Sequence, residues 1–122
     1  MAFLFFVVGL GWAALARLVA AAAGDGPVLA AYARETGVDA VGLDETVDPV
    51  WADTHLPKDL PAQGNLDPLA LIAGGEALDS AVDRILAAFT ARPHIFNLGH
   101  GILPDTPIAH VEHLIVRVRR HA

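Results

Sequence analysis

Fourteen carboxylates, six histidines and eight Lys or Arg residues hold nearly all the reactive chemistry of this 122-residue chain. With no cysteine there is no disulfide framework, no thiolate metal site and no sulfur nucleophile. The lone serine, Ser80, lies on the outer part of a helical stretch and lacks the G-x-S-x-G turn of a hydrolase nucleophile. Among the histidines, His100 is set apart by Gly99 and Gly101, which free the backbone on both sides. No helical or strand pattern gives its ring an apolar face to pack on. An imidazole with an ordinary pKa of about 6.5 can donate to, or charge against, a carboxylate-bearing ligand. His110 and His113, three apart with Arg117 continuing their face, bring two imidazoles together without a third protein ligand. That makes a poor zinc site, and a solvated helix face is expected instead. His55, His94 and His121 fall at loops or element ends without supporting neighbours. No metal and no organic cofactor is assigned.

The elements that must position His100 follow from punctuation and periodicity. Pro27 opens a helix that Gly37 closes. Residues 38–44, VDAVGLD, read as a short buried strand, and residues 48–54 as a short helical patch. LPAQG, residues 60–64, is a second strand with Pro61 at its start or edge. Asp67 caps the helix that Pro68 begins, and Gly74-Gly75 breaks it. From about 76 to 91, Leu78, Val82, Ile85, Leu86 and Phe89 make one apolar stripe, leaving Asp79, Asp83 and Arg84 to solvent. HIFNL, residues 94–98, is a third strand. The last helix is expected to start with Thr106 as cap and Pro107 after it, burying Ile108, Val111, Ile115 and Val118 with Leu114 alongside.

Short apolar strands alternating with helices indicate an α/β fold with a parallel sheet. Three βα units, with a fourth at the N-terminus, suit either a small open sheet or half of an eight-stranded barrel; periodicity alone does not choose. In both, ligands bind beyond the carboxyl ends of the strands. Those ends fall at Gly42-Leu43-Asp44, Gln63-Gly64-Asn65 and Asn97 to His100, each with a glycine and polar groups. Apart from His100, these residues are read as chain-turning or capping groups.

Composition bounds the rest. A formal net charge of −6 and few clustered basic residues argue against nucleic-acid binding. Residues 1–23 form an apolar segment distinct from residues 24–122. From Phe3 to Ala23 the only charge is Arg17, in a span close to the length of a membrane helix. Two readings stay open. One is a buried strand from Phe3 to Val8 followed by an alanine-rich helix; the other is membrane contact through residues 3–23, opposed by the cost of burying Arg17 and the lack of a basic leader.

VGLDETVDP (41–49), QGNLDP (63–68) and FNLGHGILPDTPIAHVEHLIVRVR (96–119), in this order and spacing, resemble the C-terminal part of the uroporphyrinogen decarboxylase family. The resemblance covers roughly residues 27–121. It implies a partial (β/α)8 TIM barrel made of the C-terminal three to four βα units with parallel strands. It also implies a cytoplasmic homodimer and a cofactor-free decarboxylation of uroporphyrinogen III, a porphyrinogen substrate, to coproporphyrinogen III. His100 matches the family's active-site histidine, with Gly99 and Gly101 beside it. The family's remaining site groups lie in the earlier part of the barrel, so the chain is expected to be inactive alone. Where the family usually has tryptophan after GLD, this chain has Glu45, which is expected to face the core or rim rather than the ligand. Related methyl transferases use zinc-bound cysteine, which this chain does not have.

Overall fold

The computed structural model describes residues 18–20 and 26–121. Four strands, β1 (Leu18–Ala20), β2 (Ala40–Gly42), β3 (Ala62–Leu66) and β4 (His94–Leu98), form one sheet in the order β1-β2-β3-β4, every pair parallel. Between and after them run α1 (Gly26–Thr36), α2 (Pro49–His55), α3 (Pro68–Ala73), α4 (Gly75–Ala88) and α5 (Ile108–Arg120). A doubly wound sheet reverses its strand order at a switch point, whereas a (β/α)8 barrel adds each strand beside the last. The strictly sequential order is the one a barrel sector has, and it departs from that of a doubly wound sheet. β1 is the fourth unit, and it lies where the apolar segment was read as helix. The strand expected at Phe3 to Val8 lies outside the described residues.

The predicted Asp67 cap is present, and Asp48, read only as the start of a short helical patch, caps α2 in the same way. Asp48 and Asp67 each stand before a proline in extended backbone, and their Oδ1 atoms accept from the Trp51 and Leu69 amides at 2.9 and 2.8 Å. Thr106-Pro107 does not repeat this. Pro107 is itself extended (ψ 132°), so α5 starts one residue later with no side-chain cap. Thr106 turns back instead, its amide donating to Leu103 O at 3.1 Å.

The core lies between the sheet and the helices, with Val41, Leu66, Leu71, Leu78 and Val82 as its largest fully buried side chains. Trimming a leucine there to alanine costs about 2–5 kcal/mol. The α4 stripe is confirmed, with Leu78, Val82, Ile85 and Phe89 buried and Leu86 half-buried. On α5 only Leu114 and Val118 are buried, while Ile108, its first residue, is exposed and Val111 and Ile115 are half-buried. Asp79 and Asp83 are not simply solvated. Together they cradle Arg117, with Nη1 2.9 Å from Asp79 Oδ2 and Nη2 2.6 Å from Asp83 Oδ2, and so tie α4 to α5. Hydrogen bonding from Arg117 holds the Asp83 carboxyl below its ordinary range. Arg84 likewise pairs with Asp48 at the start of α2. No helix among the described residues is long and apolar enough to cross a membrane.

Candidate functional site at the carboxyl ends of the strands

β4 ends at Leu98, and the Gly99 amide donates to Leu66 O at 2.8 Å, extending the β3–β4 pairing one residue past the strand. His100 is thereby the first residue to leave the sheet. Its side chain is 64% exposed, and Nδ1 lies 2.5 Å from Glu45 Oε2, in the loop that follows β2. That hydrogen bond, reinforced by the charges of Glu45 and Asp44, raises the His100 pKa above its ordinary 6.5. The ring thus stays cationic to higher pH than a free histidine. Glu45 stands on the rim, as expected, but it faces the residue that was expected to meet the ligand.

The loop bearing Glu45 is held by buried polar groups. Asp44 Oδ1 accepts from the Thr46 amide at 2.9 Å and from Thr46 Oγ1 at 2.6 Å. Asn65, within β3, donates Nδ2 to Asp44 O at 2.8 Å and to Val47 O at 2.6 Å. Both side chains are buried, so neither residue merely turns the chain. Asp44 Oδ2 and Asn65 Oδ1 are buried acceptors with no partner among the described residues. Gly99 is required by this packing. A Cβ there would lie 2.2 Å from the Glu45 amide nitrogen and 2.9 Å from the Asp44 carbonyl carbon. A Cβ at Gly101 would meet nothing within 4 Å.

The other histidines take separate paths. His110 turns inward, Nδ1 2.9 Å from Leu71 O, and its ring fills the space above Gly74. His113 reaches Asp79 Oδ1 at 2.6 Å. The two therefore neither converge nor share a solvated face, and no group of three metal-ligating side chains occurs among the described residues. His94 has neighbours that the sequence reading missed. Buried at the start of β4, it packs against Phe89 and Phe96, with ring centroids 4.6 and 6.0 Å away, and Nε2 lies 2.7 Å from Gly64 O. Burial lowers its pKa.

Beside it the wholly buried Arg92 guanidinium donates to Asp53 Oδ1 at 2.9 Å and to four carbonyls, of Asp53, Leu56, Pro57 and Leu60. Arg92 lies between α4 and β4 in no periodic pattern, so nothing local in the sequence marks it. A cleft of about 520 Å³ opens here, lined by Arg92, His94 and His121 among others. It is at the opposite end of the sheet from His100, and its Arg92 and His94 are committed to protein acceptors.

Residues 17–121 match the family model described as uroporphyrinogen decarboxylase (URO-D). The chain belongs to the uroporphyrinogen decarboxylase family. Over 96 residues it is 78% identical to the uroporphyrinogen decarboxylase of Sphingopyxis alaskensis and 74% identical to that of Rhizorhabdus wittichii, and 59% identical to that of Novosphingobium aromaticivorans. Each alignment covers 79% of this chain and 28% of the relative. The chain therefore spans under a third of the length of these decarboxylases. Its partial barrel of parallel βα units agrees with that share, since a complete eight-stranded barrel typically needs about 250 residues. β1 falls inside the matched residues, ahead of the motifs that carried the resemblance.

Proposed function

We propose that this chain supplies one sector of a uroporphyrinogen decarboxylase mouth, with His100 as its substrate-contacting residue and Gly99 and Gly101 beside it. The observation that carries this reading is where His100 stands. It leaves the carboxyl end of a parallel strand, exposed, and a neighbouring carboxylate favours its charged form. An imidazolium at that position can pair with the acetate or propionate groups of uroporphyrinogen III. Family membership supports the same substrate class, and also a homodimer in the cytoplasm. The membrane reading of residues 3–23 falls, apart from β1, outside the described residues.

One histidine ring at the end of a four-stranded sheet does not enclose a tetrapyrrole, and among the described residues no strand pairs with the outer edge of β4. The 122-residue chain alone is therefore expected to form no coproporphyrinogen III from uroporphyrinogen III. Product formation by the purified chain that is lost in His100→Ala would overturn this expectation. Placed in the Sphingopyxis enzyme in exchange for the matching 96 residues, the chain's corresponding segment is expected to support decarboxylation. His100→Ala in that hybrid is expected to lower kcat/KM at least about tenfold, corresponding to ~1.4 kcal/mol of lost interaction. An unchanged kcat/KM would remove His100 from the site.

A further inference from the structure

Glu45 occupies a position where the family resemblance leads one to expect tryptophan, and a carboxylate at the mouth of a site for a polycarboxylate needs a reason. Three features give it one. First, Glu45 Oε2 lies 2.5 Å from His100 Nδ1, while no protein hydrogen bond engages Nε2 among the described residues. Second, the backbone bearing Glu45 is fixed by Asp44, Thr46 and Asn65, two of them buried. Third, the missing side chain at Gly99 leaves the space that the Glu45 carboxylate and amide fill.

We propose that Glu45 is a positioning residue, which fixes the His100 ring by taking its Nδ1 proton as a hydrogen bond and turns Nε2–H outward as the one donor offered to a ligand carboxylate. This deepens the substrate-binding reading of His100 and rests on it. In a neutral ring the single proton sits on Nδ1, facing Glu45, and Nε2 can only accept. A ligand carboxylate is therefore bound only by the doubly protonated ring. The pair His100⁺–Glu45⁻ is neutral overall, so recognition depends on a directed hydrogen bond rather than on a net positive patch. Glu45 and Asp44 are the charged groups facing His100, and both favour its charged form. Binding should persist up to a pH above 6.5 and then weaken about tenfold for each further unit, as the competent fraction falls.

The test follows His100 Cε1–H by NMR in the full chain, with glutarate as carboxylate probe at constant ionic strength. The expected result is a saturable shift at pH 6 that disappears above the His100 midpoint, with Nδ1 retaining the proton in the neutral ring. Glu45→Gln should bring the midpoint down and weaken glutarate binding at pH 7 by about tenfold per unit of that fall. Glu45→Asp, which keeps the charge on a shorter arm, should restore part of both. An unchanged midpoint in Glu45→Gln, a neutral ring protonated on Nε2, or no glutarate response at pH 6 would each overturn the proposal. None of these readouts requires decarboxylation. A hybrid enzyme inactive with every variant would sink the functional assignment while leaving Glu45 and His100 to be judged on the NMR result.

Discussion

Two histidines six residues apart stand at opposite ends of β4 and do opposite things. His94, at the amino end, is buried between phenylalanines with its ring nitrogen bonded to Gly64 O, and burial lowers its pKa. His100, beyond the carboxyl end, is exposed and paired with Glu45, which raises its pKa. Around His94 the polar groups are spent on the protein, Arg92 with five acceptor atoms being the extreme case. Around His100, among the described residues, Nε2 of the ring and two buried acceptors have no protein partner. One end of the sheet is a frame. The other leaves the exposed His100 ring open on its Nε2 side, where the proposed ligand would bind.

The largest effect should come from breaking the frame. Arg92→Met takes the donor from the Leu56 and Leu60 carbonyls and leaves Asp53 to Lys58 alone, and should destabilise the chain by about 3 kcal/mol in urea unfolding. His100→Ala, which removes an exposed ring with one hydrogen bond, should move the urea midpoint far less. Equal losses for the two variants would erase the contrast between the ends.

Next in size is a pair of glycine substitutions one residue apart. Gly99→Ala forces the Glu45 backbone to retreat and should cost about 1–3 kcal/mol, since backbone cannot rotate aside as a side chain can. It should also lower the His100 midpoint by moving the carboxylate away. Gly101→Ala meets open space and should do neither.

The smallest effect is the opposed pH dependence of the two rings. Unfolded His94 takes up a proton near pH 6.5, whereas the folded residue resists it. Between its lowered folded midpoint and 6.5 the unfolded chain holds more protons, so stability falls as pH falls through that window. For His100 the folded midpoint is the higher one. Its contribution is complete below 6.5 and is lost as pH rises through the folded value. Urea midpoints from pH 8 to 5.5 should therefore drop on the acid side, and His94→Gln, which keeps a donor for Gly64 O, should flatten that drop. An unflattened drop would remove His94 as the source of the acid sensitivity.

The sequence showed the frame's elements better than its long-range contacts. HIFNL ends where β4 ends, and the Asp-Pro starts at Asp48 and Asp67 are local chemistry that a reader of the sequence can see. Thr106-Pro107 looked the same and failed, because a proline at that position can equally stay extended. Glu45 with His100, Asp53 with Arg92 and Asp79 with Arg117 join residues 55, 39 and 38 positions apart, and no periodicity reports such pairs. Sequential strand order, the order a barrel sector has, is equally non-local. His100 was legible as a candidate because its flanking glycines left it no packing role, while its substrate role came from the family resemblance alone. Its partner was not, because a carboxylate after GLD looks like any solvated acid.

The most direct test follows the Cε1–H signals of His94 and His100 together while uroporphyrinogen III is added to the full chain at pH 6. The predicted result is a saturable shift at His100 with His94 unmoved. A shift at His94 with His100 silent would place the ligand at the wrong end of the sheet and contradict the account.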